Sequence, residues 1–168
     1  SKHGRVVVLD IDFHHGNGTQ AIFYLDKDVY VISVHGDPIE YYPFFTGFVS
    51  EKGAADGHGT NLNIPLPSGV DGKEYANILD KQVLPSIKKY GPKFLVVSAG
   101  FDTYVSDPVG AFALQTEDYH DIGGRLASLR LPTVVIQEGG YAAESLGANV
   151  ASLLTGFADG MAPERTEA

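Results

Sequence analysis

Arg5-Val-Val-Val-Leu-Asp-Ile-Asp-Phe-His-His-Gly-Asn-Gly-Thr19 is the stretch on which the fold turns. Its first half, Arg5–Leu9, is β-branched and apolar without alternation, the pattern of a strand buried on both faces. Its second half changes abruptly to acids, histidines and glycines. In open parallel sheets ligands bind beyond the carboxyl ends of the strands, and polar residues follow this strand at once. Continued as a strand with period two, the chain would bring Asp10, Asp12 and His14 to one side while Ile11 and Phe13 pack on the other.

Working outward, Val29–Val34, Phe94–Ser98 and Thr133–Ile136 repeat the apolar, β-branched pattern, and Leu62–Pro65 reads as a further short strand. Helical patterns separate them. Asp71-Gly-Lys-Glu74 reads as an N-cap with its partner three residues on, followed by an apolar face of Tyr75, Ile78, Leu79, Val83 and Ile87. Pro85 falls inside that face and predicts a kink or break. Thr116-Glu-Asp opens a second helix with Ile122, Leu126 and Leu129 inward, and residues 143–157 form a third. The alternation predicts an α/β fold, a mainly parallel sheet flanked by helices. Gly36 to Asn61 stands apart. It is long and non-periodic, with five aromatics between Tyr41 and Phe48. Loops of that length in compact domains are functional, disordered or packed on their own rings, and the aromatic content argues against disorder.

Composition limits the function. The 168 residues are 43% hydrophobic, enough for one domain with a sizeable core. Twelve basic and 21 acidic residues give a net charge of −9, which suits a cationic substrate and argues against a nucleic-acid backbone as partner. Without cysteine there is no disulfide framework, zinc–thiolate site or Cys nucleophile. No apolar run approaches the roughly 18 residues of a membrane span, and Val6–Leu9 is too short for a signal peptide. A cytoplasmic location without membrane contact is the expectation.

Three strand ends carry residues suited to chemistry. Carboxylates on one face repel unless a cation lies between them or one is protonated, so Asp10, Asp12 and His14 suit zinc or another divalent transition metal. A helix-capping Asp and a crevice-filling His are the plainer reading. In Ser98-Ala-Gly-Phe-Asp102 the last residue is a further oxygen ligand or a cap. In Gln137-Glu-Gly-Gly-Tyr141 the glycines present a Tyr hydroxyl, cradle a phosphate, or simply turn the chain beneath a packing ring. Asp12, His14 and Asp102 would make three protein ligands and leave a fourth zinc position open, which is the catalytic pattern.

The segments Asp10-Ile-Asp-Phe-His-His-Gly-Asn-Gly-Thr19, Ser33-Val-His35, Tyr41-Tyr-Pro-Phe-Phe45, Asn61-Leu-Asn-Ile-Pro65, Gly100-Phe-Asp102 with Asp107-Pro108, and Glu138-Gly-Gly-Tyr141 follow one another to about Phe157. In this order they resemble the zinc-dependent histone deacetylase superfamily, which includes bacterial acetylpolyamine amidohydrolases. Asn17 and the Tyr-Tyr-Pro-Phe-Phe loop are closer to the bacterial and class II branches. The resemblance implies the arginase/deacetylase fold and one Zn2+ per chain on Asp12, His14 and Asp102. It makes Tyr141 the catalytic donor to the oxyanion. It gives Asp10 and Ser33 to a structural K+ or Na+, with carbonyls of Asp12, His14 and Val34 beside them. Carbonyls of Phe23, Asp26 and Val29 would hold a second monovalent cation. It implies Asn17 as the partner of a catalytic histidine, Tyr42 as a wall of the acyl-lysine tunnel and Gly140 as the narrow loop opposite.

One departure matters. The family's tandem His dyad, its general base and acid, lies upstream of the Asp-x-Asp-x-His segment, and this chain begins nine residues before Asp10. His14 matches a ligand, His15 points to the opposite side, and His3 lacks the dyad's context. Residues 1–168 are therefore expected to be the C-terminal part of a single deacetylase domain, with family strands and one side of the tunnel absent. The expected activity is zinc-dependent removal of acetyl groups from acetylated polyamines or from acetyl-lysine. Uncovered sheet surface would favour a homo-oligomer. The rival readings are a truncated remnant that binds metal or ligand without turnover, a ureohydrolase-like binuclear manganese enzyme, and a phosphate-binding module.

Overall fold

The computed structural model describes residues 4–162, so His3 and the last six residues lie outside it. Five parallel strands form one sheet in the order β3-β2-β1-β4-β5: β1 Val6–Asp10, β2 Val29–Gly36, β3 Asn61–Leu66, β4 Phe94–Ala99 and β5 Thr133–Gln137. The helices are α1 Asn17–Phe23, α2 Gly72–Ile78, α3 Leu84–Tyr90, α4 Thr116–Ala127 and α5 Ala143–Met161. The strand segments and three helical regions expected from the sequence are all present. Pro85 lies at the start of α3, and the chain between α2 and α3 widens into a π turn, Leu79–Val83. Proline lacks an N–H and its ring crowds the preceding turn, and the wider turn accommodates both without ending the helix. Asp71 caps α2 by accepting a hydrogen bond from Glu74 N (2.8 Å).

The two sheet faces differ. In register, Val7 lies beside Tyr30 and Leu95, and Leu9 beside Ile32 and Val97. All six are buried, with Tyr75, Leu79, Val83, Ile87, Tyr119 and Leu126 of the helical layer in the same core. On the opposite face β2 is sealed: Val31, Ser33 and His35 are buried. Towards β5 that face opens. Phe94 is 39%, Val134 58% and Ile136 46% exposed. The expectation that every strand is buried on both faces therefore fails for β5. Its apolar pattern reflects a surface that nothing described here covers.

The Asn17–Phe23 helix carries no periodic sequence signal. It starts on Asn-Gly, buries only Gln20 and leaves Ile22 exposed, so it lacks an apolar stripe that periodicity could detect. Among the described residues no helix is long and apolar enough to cross a membrane.

The faces predict unequal mutational costs. Leu9→Ala, at a fully buried position in the central strand, should lose about 2–5 kcal/mol in urea unfolding. Val134→Thr, on the open face, should stay within about 0.5 kcal/mol of the parent. Equal losses would mean that β5 is covered in solution.

Candidate metal centre and substrate cleft

The site forms where β1 and β4 end side by side. β1 stops at Asp10, so Asp12 and His14 do not converge by strand periodicity as expected. Side-chain-to-backbone bonds bend the segment instead: Asp12 N donates to Asp10 Oδ1 (3.0 Å) and His14 N to Asp12 Oδ1 (2.8 Å). From the turn after β4, Asp102 Oδ1 accepts a hydrogen bond from Phe13 N (2.8 Å), which ties together the segments that follow the two strands. Its other oxygen lies 2.9 Å from His14 Nδ1, and Asp12 Oδ1 lies 3.3 Å from the same nitrogen.

Asp12, His14 and Asp102 are the one group of three or more potential metal ligands among the described residues, their donor atoms within 4.8 Å of one another. Tetrahedral zinc with bonds of 2.0–2.2 Å sets its ligands about 3.4 Å apart. Two carboxylates and one imidazole at these separations fit such an ion and leave a position open. Backbone closes one side. Gly139 N donates to Asp12 Oδ2 (3.1 Å). A Cβ at Gly139 would lie 2.6 Å from that oxygen and 2.7 Å from Asp102 Oδ2, and one at Gly100 would collide with the Asp12 carboxylate. The two glycines are needed for close approach rather than for a turn.

Electrostatics follow the crowding of acids. His14 is pushed up to about 9, first by its hydrogen bond to Asp102 and then by that to Asp12. Burial works to raise both carboxylates. It prevails at Asp102, whereas the His14 hydrogen bonds and the Gly139 N–H keep Asp12 below the usual range. Asp10 is pushed up to about 8, chiefly by burial, with repulsion from Asp12, Asp102 and Glu138 adding to it.

The remaining candidates divide. Tyr42 and Tyr141 line an open cleft of about 520 Å3 with Asp12, His14, Val109, Glu138 and Gly139. Tyr42 and His14 have ring centroids 6.3 Å apart. The Tyr141 phenol is raised by desolvation and by Asp102 and Asp12, and so stays protonated. Asp10 stands beside Ser33 in register, but Ser33 Oγ is engaged with His35 Nδ1 (2.8 Å). Gly140 (φ +133°) packs towards Leu146 and Phe101, and its neighbour Gly139 is the residue at the carboxylates. Asn17 is exposed at the start of α1 and lines a different pocket, with Gln20, Tyr24 and Glu51. Phe23 and Asp26 lie at the end of α1 and in the turn beyond it, and Val29 opens β2. His15 is turned away from the cluster, buried against Gln20 (3.0 Å).

Sequence reading gave no role to Asp107. It is buried, and its Oδ2 accepts from Tyr141 N (2.6 Å) and Ala142 N (3.0 Å). Oδ1 accepts from Val109 N (2.9 Å). It therefore holds both the Tyr141 backbone and a wall of the cleft. The Asp107-Pro108 pair was visible in the sequence, but only the fold brings residue 141 to it.

A histone deacetylase domain matches residues 1–157. The acetylpolyamine amidohydrolase of Burkholderia pseudomallei is 45% identical over 157 residues, 94% of this chain and 46% of that protein. Acetylpolyamine amidohydrolase 1 of Pseudomonas aeruginosa is 46% identical, with 91% and 44% covered. The chain thus spans a little under half the length of these relatives. The crystal structure of the Burkholderia acetylpolyamine aminohydrolase superposes with a TM-score of 0.89 at 45% identity, over 92% of this chain and 45% of that one. The histone deacetylase Clr3 gives 0.89 at 30% identity, over 99% and 29%.

The cluster makes stability depend on pH. His14 and Asp10 both bind protons more tightly folded than unfolded. Their contributions are therefore largest below the unfolded values of 6.5 and 3.8 and disappear as pH rises through about 9 and about 8. Metal-free chain should thus lose stability in urea unfolding from near neutral pH to about 9. A flat or rising profile would contradict the His14–Asp102 pairing. Because a divalent ion must displace the His14 proton, calorimetry in buffers of different ionisation enthalpy should show about one proton released per ion bound near neutral pH.

Proposed function

The chain belongs to the histone deacetylase family, and from that premise we propose that it carries the metal centre and one wall of the substrate cleft of a zinc-dependent amidohydrolase acting on acetylated amines. The observation that carries this reading is the Asp12–His14–Asp102 cluster at the floor of a cleft flanked by Tyr42 and Tyr141. Asp12, His14 and Asp102 would hold the zinc, which would supply Lewis acidity towards an amide carbonyl and towards water. The chain's own residues supply the rest of what is present. Tyr141 keeps its proton and can donate it as a hydrogen bond to the carbonyl oxygen as negative charge develops there. Asp107 fixes the backbone from which Tyr141 projects. Tyr42 and Val109 give the cleft apolar walls for the methylene chain of the substrate.

An acetylpolyamine is the preferred substrate and acetyl-lysine in protein the next. The acidity of the chain favours a small cationic amine, as do relatives named acetylpolyamine amidohydrolases. Asp10 and Ser33 are proposed to serve K+ or Na+: a buried carboxylate at the end of β1, repelled by Asp12 and Asp102, gains most from a cation that is not the zinc. A single three-ligand cluster among the described residues supports a mononuclear centre over a binuclear manganese one. The site is expected to work in the cytoplasm, in an assembly of more than one chain, because Val134 and Ile136 leave apolar surface to be covered.

A second reading, metal binding without turnover by this chain alone, is favoured by the histidines. His14 faces the carboxylates, His15 is held by Gln20, and His35 is fully buried between Ser33 and Gly47. None of these is free to act as general base in the cleft, and His58 and His120 lie on other segments, His58 after the 55–57 turn and His120 on α4 beside Asp159; such a base is typically worth about 10²–10⁴-fold.

The zinc-loaded chain should accordingly bind acetylputrescine and acetyl-lysine yet hydrolyse them poorly. Its residual rate should fall about 10²–10³-fold in Tyr141→Phe, the usual cost of losing an oxyanion donor. Turnover matching a full-length relative, and lost in that variant, would overturn the second reading. Asp102→Ala retaining one zinc per chain would overturn the metal assignment. Asp10→Ala should unfold at lower temperature and lose the extra stability that potassium gives the parent; equal melting with and without potassium in the parent would remove the monovalent-ion role.

A further inference from the structure

Beneath the aromatic segment lies a polar cluster that the reaction does not use. Gln20, His15, Asn61, Asn63, Ser33 and His35 are all buried there. Gln20 Oε1 accepts from Asn61 Nδ2 and Asn63 Nδ2 (both 2.8 Å) and lies 3.0 Å from His15 Nε2. The amide nitrogen of Gln20 donates to Glu51 Oε2 (2.7 Å). That same carboxylate oxygen accepts from Gly47 N (2.9 Å) and Asn63 Nδ2 (3.2 Å). Several N–H donors converging on one oxygen call for an anionic acceptor, because charge-assisted bonds are the stronger ones. Although burial works to raise Glu51, the Gln20 and Gly47 bonds hold it below the usual range.

Glu51 lies at the downstream end of a strained stretch. Phe44 and Phe45 have φ of 53° and 54°, a left-handed conformation that is strained for a non-glycine residue and persists only where the flanks fix it. Upstream, the Tyr41 ring packs edge-on against Phe13 (4.9 Å). Downstream, Gly47 lies flat on two histidines: its carbonyl is 3.0 Å from His35 Nε2, and a Cβ there would come within 2.7 Å of that nitrogen and 2.9 Å of His15 Cγ. Between these supports the Tyr42 ring stands edge-on to His14 (6.3 Å) and to Phe44 (6.4 Å).

The geometry points to Glu51 as a positioning residue of the substrate cleft: through Gly47, Gln20 and Asn63 it fixes the strained segment that carries the Tyr42 wall, and so sets how the cleft receives an acylated amine. The anchor itself is a matter of the fold; its bearing on substrate rests on the deacetylase reading.

The test uses the full chain labelled with 3-fluorotyrosine, the Tyr42 resonance being assigned with Tyr42→Phe. Glu51→Ala should shift or broaden that resonance and speed amide exchange across residues 42–50, while the buried Tyr75 and Tyr119 resonances stay in place. Glu51→Gln keeps an acceptor oxygen without the charge and should restore part of the parent signal. In the zinc-loaded chain, Glu51→Ala should weaken acetylputrescine binding about tenfold with zinc affinity unchanged. An unmoved Tyr42, or Tyr42, Tyr75 and Tyr119 moving together, would overturn the proposal. So would a displaced Tyr42 with acetylputrescine affinity equal to the parent's. If the parent chain binds no acetylputrescine while Tyr42 still moves in Glu51→Ala, the anchor stands and the assignment of this cleft to an acylated amine fails.

Discussion

Two carboxylates face one imidazole where two neighbouring parallel strands end. Asp12 and Asp102 would repel across so short a gap, and His14 between them relieves the repulsion by sharing its proton or by joining them in holding a cation. Much of the local architecture serves this arrangement. The Phe13 N–H ties Asp102 to the β1 end, the Gly139 N–H reaches Asp12, and Gly100 and Gly139 exist as glycines because the carboxylates occupy the space a Cβ would need. The sheet order sets the cluster in the middle: β1 and β4 are adjacent, so residues 12 and 102 meet although 89 residues separate Phe13 from its Asp102 partner.

Much of this was legible in the sequence. Unbroken β-branched runs mark the strands because a parallel sheet is covered by helices, and the changes from apolar to polar at Asp10, Ser98 and Gln137 mark the strand ends where the site forms. Other parts could not be read. The apolar run of β5 looks the same as that of β4, since a sequence records a residue's hydrophobicity and not whether anything lies on it. α1 has no apolar stripe because its buried contact is a polar one, Gln20 reaching to Glu51, Asn61 and Asn63. Asp10, Asp12 and His14 looked like one set under strand periodicity. The strand stops at Asp10, and the carboxylates' bonds to backbone N–H groups then separate Asp10 from the other two. Asp107 needed tertiary structure altogether, for its partners lie 34 and 35 residues downstream.

The site sits between a rigid side and an open one. On the β2–β3 side, the buried polar cluster binds α1, β3 and the aromatic segment through hydrogen bonds centred on Gln20 and Glu51, and such networks specify geometry where their members are paired. Nδ1 of His15 and the carbonyl oxygens of Asn61 and Asn63 are the buried atoms there without a protein partner. Single buried waters commonly fill such positions. A network of this kind stabilises little compared with an apolar core, yet it fixes where Tyr42 stands relative to His14, which an apolar filling of similar volume would leave to looser packing.

On the β4–β5 side nothing among the described residues plays that part. Sheet edges are normally blunted by proline, charge or cover. β3, at one edge, carries Pro65, whereas β5, at the other, is Thr-Val-Val-Ile-Gln, without proline or charge and with Val134 and Ile136 exposed. Ser98 shares their face and also lines, with Asp10, Asp12, His14, Gly16 and Glu138, the pocket on this flank of the metal cluster. The bare face of the sheet and the open flank of the cluster are thus parts of one surface. An element packed on Val134 and Ile136 would reach the flank of Asp12 and His14 as well, so covering apolar surface and shielding the charged centre from water are a single structural event. Shielding strengthens every charge interaction in the centre, because the effective dielectric falls as water leaves. Whatever covers this face therefore bears on the chemistry of the site as directly as on the stability of the fold.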